Sequence, residues 1–279
     1  MGLIHFFRRT IQFILYGQPR LNTTVSDLHI HYLSPHNRLL GKKALITGGG
    51  KGLGHAIAER YVNEGAQIVI VGRDEQALKN TAVKLNCKYI VKDITDINGL
   101  SDLLTEAYNI LGDIDILVNN AGISLHEPDF INVTEETFDL QIKTNLKAPF
   151  FLTQAYVNRL LRNNKKGNIL FISSETGMTV DLRPYGWTKS IINSMVQGMA
   201  YRLRANEIRI NAICPGVTAT EMTGFKSDEN LYPYGKENRI ILPDEIAEVA
   251  TFIVSDAAKL LNGQILVCNE GKTINARWK

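Results

Sequence analysis

Little in this 279-residue chain points to extracellular, nucleic-acid or membrane chemistry. Cysteine is scarce: Cys87, Cys214 and Cys268 stand far apart and form no metal or redox motif. That excludes a disulfide framework and matches a reducing compartment, so a cytoplasmic location is expected. Net charge is only +3, too small by itself to draw nucleic acid or an acidic membrane surface. No apolar run approaches the roughly 20 residues that a membrane-spanning helix needs. Internal repeats and low-complexity tracts are also missing. What remains is an ordinary globular composition, 44% hydrophobic and 21% charged, in a length ample for one large α/β domain.

Residues 1–40 differ from the rest and read as an N-terminal arm. Met1 to Tyr16 is rich in Leu, Ile and Phe, with Arg8 and Arg9 in its middle. Ile11 to Tyr16 has the look of a short signal-peptide core, but Gly17-Gln18-Pro19-Arg20 follows where a small-residue cleavage pattern would stand. Gly2 fails the myristoylation pattern because Phe6 occupies the Ser/Thr position. The preferred reading is an amphipathic arm that packs on the domain or on a neighbouring subunit. The alternative is contact with a membrane surface. His29-x-His31 lacks further ligands at metal spacing, so no metal site is expected.

From Lys43 the pattern becomes regular, and residues 41–279 read as a single nucleotide-binding domain. Short apolar runs, read as strands, alternate with stretches of helical period. The first run, Ala44 to Thr47, leads into Gly48-Gly49-Gly50-Lys51-Gly52-Leu53-Gly54 and then a helix to about Asn63. Strand, glycine-rich turn and helix N-terminus form a phosphate cradle, because glycines let the backbone approach and the helix end offers free N–H groups. The second run ends in Gly72-Arg73-Asp74. An acidic residue at that strand end would bind the ribose of NAD. Here the place is held by Gly72, and Arg73 with Lys51 suits the 2′-phosphate of NADP. NADP(H) is therefore favoured, with NAD(H) left open. Asp93 closes the third strand, and Asn119-Asn120-Ala121-Gly122 closes the fourth, with amides suited to tying strand ends together. Thr134 to Asn164 reads as one long helix, with Thr134-x-x-Thr137 short of a full capping box and Asn145 inside it. Residues Thr223 to Leu242 read as a loop carrying Phe225, Tyr232 and Tyr234, suited to a lid.

The chemistry concentrates between Ser173 and Lys189. Tyr185 and Lys189 lie four apart near the start of a helix that runs to about Leu203, so they share a face. An ammonium beside a phenol favours the phenolate, and the tyrosine pKa is expected to fall from its ordinary value of about 10 toward neutrality. A shift of roughly three units needs about 4 kcal/mol, which only a shielded site supplies.

Taken together, Thr47-Gly48-x-x-x-Gly52-x-Gly54, Asn119-Asn120-Ala121-Gly122, Asn145, Ser174, Tyr185-x-x-x-Lys189 and Pro215-Gly216 resemble the short-chain dehydrogenase/reductase family, over about residues 41 to 272. The resemblance implies a Rossmann-type doubly wound fold, a seven-stranded mainly parallel sheet with helices on both faces, in a homodimer or homotetramer. It assigns Tyr185 as general acid/base, Lys189 as its pKa-lowering partner and holder of the nicotinamide ribose, and Ser174 as the hydrogen-bond partner of the reacting oxygen. Asn145 is implied to hold a relay water. Gly48, Lys51, Gly52, Leu53 and Gly54 would hold the phosphates; Arg73, Asp93 and Ile94 the adenosine end. Asn119 would sit beside the adenosine ribose. Ala121, Gly122, Pro215, Gly216, Val217 and Thr220 would flank the rest, with Thr220 at the carboxamide.

The segment between Ser174 and Tyr185 is about two residues shorter than in many relatives of that family. The expected pocket wall, Leu125, Met178, Val180, Leu182, Trp187, Phe225, Tyr232 and Tyr234, is apolar and aromatic. It favours a bulky apolar ketone or secondary alcohol, first a hydroxysteroid. The alternatives are a 3-oxoacyl-carrier-protein reductase, a sugar/polyol reductase and, outside catalysis, a nucleotide-sensing or scaffold protein. The expected partner is a small-molecule substrate, not nucleic acid.

Overall fold

In the computed structural model, residues 37–233 and 238–274 are described. The N-terminal arm through residue 36, Tyr234 and the tail from Asn275 lie outside them, as do the expectations placed on those residues. Leu39, on the arm side of the expected boundary, is fully buried in the core.

Seven strands form one sheet: β1 (Lys43–Thr47), β2 (Gln67–Gly72), β3 (Lys88–Val91), β4 (Ile116–Asn119), β5 (Gly167–Ile172), β6 (Ile208–Pro215) and β7 (Ile265–Cys268). Their order is β3-β2-β1-β4-β5-β6-β7, and every neighbouring pair is parallel. Between them run α1 (Gly52–Asn63), α2 (Glu75–Leu85), α3 (Leu100–Leu111), α4 (Glu135–Ile142), α5 (Ala148–Arg162), α6 (Pro184–Leu203) and α7 (Pro243–Val254). This is the doubly wound α/β fold expected from the sequence. Parallel strands need crossovers, and the crossover helices cover both faces.

The two-residue period of a strand divides the core. Leu45, Val69, Leu117, Phe171 and Ile210 pack with α3, α5 and α6 on one face. Ala44, Ile46, Ile70, Val118 and Ile213 pack with α1, α2 and α7 on the other. With both faces covered, the strands read as continuous apolar runs rather than alternating ones.

Two local expectations need correction. Thr134 and Thr137 do make a reciprocal capping pair at the start of α4: the Thr137 N–H donates to Thr134 Oγ1 at 3.2 Å, and the Thr134 N–H donates to Thr137 Oγ1 at 3.1 Å. A threonine hydroxyl accepts as a Glu carboxylate or Gln carboxamide would, so the box closes without an acid. The long helix is also interrupted. Residues Lys143–Lys147 widen into a π-type turn between α4 and α5, and Asn145 lies in it. Such a turn displaces a side chain from the regular helical rows, and π-turns cluster at functional sites.

Candidate active site

Strand order reverses at the β1/β4 boundary, and there the two crossover sets diverge and open a cleft at the carboxyl ends of the strands. Thr47 fastens the floor of that cleft. Its Oγ1 accepts from the N–H groups of Asn120 and Ala121, both at 3.1 Å, and donates to Val118 O at 3.2 Å. The Asn120 amide donates to Thr47 O and Gly48 O at 2.9 and 3.1 Å, the strand-end tie expected of this tetrapeptide.

The glycine turn must be glycine. Gly48 has φ +66°, and a Cβ there would lie 2.9 Å from Asn120 Nδ2; a Cβ on Gly54 would lie 2.1 Å from Gly48 O. Helix α1 begins with no side-chain cap and no acid in its first turn. Its leading N–H groups and positive dipole end therefore face the cleft.

Two cavities run along this edge. The first, about 350 Å³, takes in Lys51, Gly52, Leu53, Gly54 and Gly122 from the β1 and β4 ends. Its far wall is Ser174, Tyr185, Lys189, Pro215, Gly216 and Thr220. The second, about 550 Å³, lies toward β2 and β3 and is lined by Arg73, Asp93, Ile94 and Ala121. Gly48, Lys51 and Gly122 border both. An elongated cleft with an uncapped helix N-terminus at its waist fits an extended dinucleotide: phosphates at the waist, one ring at each end. The bound cofactor would supply the hydride.

Two expected cofactor residues are not in that wall. Asn119 turns its side chain inward, where its amide donates to Thr153 Oγ1 at 2.9 Å on α5. Val217 packs with a small apolar cluster under the following loop. The two cations expected at the 2′-phosphate are present but accompanied. Lys51 Nζ is 3.0 Å from Asp74 and 3.5 Å from Glu221, and Arg73 lies 3.8 Å from Asp93.

On the far wall of the first cavity, Lys189 Nζ lies 5.5 Å from the centre of the Tyr185 ring and donates to Ile172 O at 2.9 Å. Burial pushes the Lys189 ammonium down to about 8. Burial also pushes the Tyr185 phenol above its ordinary value, while the Ser174 hydroxyl and the Arg183 charge pull it back. The expected fall toward neutrality is thus not a property of this chain alone. Desolvating a phenolate costs more than the neighbouring charges return. Ser174 Oγ accepts from Thr176 N–H and Oγ1–H at 3.2 and 3.0 Å, which fixes it at the mouth of the turn Glu175–Met178. Asn145 is buried, and its amide grips the backbone of Ile123: Oδ1 accepts from the N–H and Nδ2 donates to the carbonyl, both at 2.8 Å. A Cβ on Gly122 would lie 3.2 Å from Asn145 Oδ1 and 3.6 Å from Lys189 Nζ, so the three groups converge.

The expected substrate wall does not gather around the first cavity. Leu125, Met178, Val180, Leu182 and Trp187 are exposed, and Phe225 and Tyr232 pack with Ala219, Leu231, Ile240 and Leu242. Glu221, Met222 and Thr223 line the cavity instead, and His126 hydrogen-bonds Met222 O at 2.9 Å. The sequence carries no periodic signal for such loop residues.

A family model described as short chain dehydrogenase matches residues 42–231. The chain is 30% identical to the 3-oxoacyl-(acyl-carrier-protein) reductase FabG of Aquifex aeolicus, over 84% of this chain and 98% of that one. It is 31% identical to the gluconate 5-dehydrogenase of Gluconobacter oxydans, over 85% and 96% of the two chains. Among solved structures, the 3-ketoacyl-(acyl-carrier-protein) reductase of Brucella melitensis complexed with NADH superposes with a TM-score of 0.77 at 30% identity. That match covers 85% of this chain and all of the other.

Proposed function

The chain belongs to the short-chain dehydrogenase family and is an NAD(P)-dependent oxidoreductase, and on that premise we propose that it interconverts a ketone and a secondary alcohol bearing an apolar portion. The observation that carries this reading is the meeting of Ser174, Tyr185 and Lys189 on one cavity wall, opposite the glycine turn. Ser174 holds the reacting oxygen by a hydrogen bond that strengthens as charge develops on it. Tyr185 gives its phenolic proton to that oxygen in reduction and takes it back in oxidation. Lys189, charged below about pH 8, steadies the phenolate left behind. Asn145, fixed on Ile123 beside the Lys189 ammonium, holds the water through which the proton is replaced. The bound cofactor contributes the hydride.

Exposed apolar side chains on the Met178–Trp187 flank give the substrate's apolar part an open surface rather than an enclosed slot. That suits an acyl chain as well as the polycyclic ring of a hydroxysteroid, and the reductase relatives support the acyl chain. Lys51 and Arg73 beside Gly72 support NADP(H) over NAD(H). A homodimer or homotetramer is part of the same reading, on the family resemblance alone.

The test is initial rate with NADPH and with NADH against steroid ketones, acyl β-ketones and ketoses, on the native protein and on Tyr185→Phe. Turnover of a ketone that falls by roughly 10²- to 10⁴-fold in the variant, with cofactor binding kept, is the expected result. Undiminished turnover by Tyr185→Phe, or none by the native protein, overturns it. Faster rates with NADH would remove the role given to Lys51 and Arg73.

A further inference from the structure

Tyr185, Lys189 and Asn193 occupy successive i+4 positions on α6, so the face that carries the chemistry continues one turn further. None of the motifs that carry the family likeness includes Asn193. It is buried, 8% exposed, and every polar atom of its side chain is engaged. Nδ2 donates to Gly177 O at 3.2 Å and reaches Met178 Sδ at 3.3 Å. Oδ1 accepts from the Cys214 thiol at 3.6 Å, on β6. Gly177 and Met178 form the far end of the turn Glu175–Met178, whose near end is capped by Ser174.

That turn has no slack against the helix. A Cβ on Gly177 would fall 2.8 Å from the Lys189 carbonyl carbon and 3.0 Å from Asn193 Nδ2. The turn's internal bond, Gly177 N–H to Ser174 O at 3.0 Å, makes its two ends move together. Ser190 Oγ also donates to Gly177 O, at 3.1 Å, but from an exposed position.

We infer that Asn193 is a positioning residue: it clamps the Ser174 turn onto the face of α6 that presents Tyr185 and Lys189. The inference rests on the catalytic reading of Ser174 above. The reacting oxygen must meet Ser174 and Tyr185 together, and these come from different elements, β5's end and α6. Asn193 is the buried side chain that joins the turn to the helix. Its contact with Met178 also places the first residue of the apolar flank. The phosphate cradle is made by the turn between β1 and α1, so loss of the clamp should leave most of the grip on the cofactor intact.

The experiment compares the native protein with Asn193→Leu, of similar volume, and Asn193→Ser, which keeps a hydroxyl. Three quantities are read: kcat and KM on the ketone found above, cofactor binding by nicotinamide fluorescence, and amide hydrogen exchange over residues 174–179. Asn193→Leu should lower kcat by about tenfold to a hundredfold, the cost of misplacing a reacting group by an ångström or less. Cofactor affinity should stay within about twofold, and exchange at Gly177 and Thr176 should quicken; Asn193→Ser should fall between. If Asn193→Leu does not fold, Asn193→Ser must show the same split in smaller measure. Native kcat and native exchange in the folded variant overturn the inference. Exchange also reports on the clamp without turnover: if the native protein turns over no ketone, the catalytic reading fails while quickened exchange still supports the clamp.

Discussion

The two edges of the sheet differ in how many of their buried donors are left facing a cleft. At the amino ends of the strands, charges are spent on one another. Glu64 is fully buried; it accepts from Arg38 N–H at 2.9 Å, from Arg38 Nε at 3.0 Å and from Arg60 Nη2 at 2.8 Å. Glu248 joins the same cluster through Arg38 at 2.9 Å. Arg209 donates to five backbone carbonyls between Ile253 and Leu261. At the carboxyl ends, donors face a cleft: α1 starts uncapped, and the Lys189 ammonium is buried against one carbonyl oxygen. The first edge is built for stability, and the second keeps binding capacity at a cost in stability. A fold can afford the second because the first is so densely paired.

That contrast can be broken most sharply at Glu64. Glu64→Ala strips the acceptor from two arginines in a buried cluster and should destabilise the protein by about 3–5 kcal/mol. Chemical denaturation would measure it. Turnover per folded molecule should hold, and a loss of kcat without a loss of stability would mean the two edges are coupled.

The next effect is smaller and has a sign. Lys189 is held near 8 against an ordinary 10.5, so between those values the unfolded chain binds more protons than the folded one. Stability should therefore rise from about pH 8 to 10.5 relative to a variant without the amine, and be independent of this group below pH 8. Comparing denaturation midpoints of the native protein and Lys189→Met across that range tests it, since the variant lacks this group's contribution to the rise. Activity should move the other way, with kcat/KM declining above about pH 8 as the ammonium is lost.

The smallest effect is expected at the apolar flank. Val180 is 95% exposed, and Val180→Ser should change stability by no more than about 0.5 kcal/mol. A rise in ketone KM with kcat unchanged would sharpen the assignment of this flank to the substrate. An unchanged KM would remove Val180 from it.

The cofactor half of the molecule was legible in the sequence because its signals are local. A strand, a glycine turn and a helix start are consecutive residues, and Gly48, Gly52 and Gly54 are required by backbone geometry within that one turn. Tyr185 and Lys189 share a face through helical period alone. The substrate side was less legible. Met222 and Glu221 reach the cavity through a loop of no period, while Phe225 and Tyr232, chosen for their apolar character, satisfy it by packing on their own loop. Asn119 and Asn120 are adjacent in a strand end, yet their side chains point to opposite sides, and only Asn120 borders the cleft.

By itself, then, the sequence determined the alternation of strands and helices, the doubly wound class, the glycine turn between β1 and α1 and the shared helix face of Tyr185 and Lys189. These follow from spacings of two, of three to four, and from glycine's backbone freedom. Only the tertiary structure decided which charges are already answered, as with Lys51 by Asp74 and Glu221. It alone decided that burial raises the Tyr185 phenol, and that Asn193 joins α6 to the turn Glu175–Met178. Desolvation, ion pairing and contacts across elements depend on distances between residues far apart in the chain, and no local pattern encodes those.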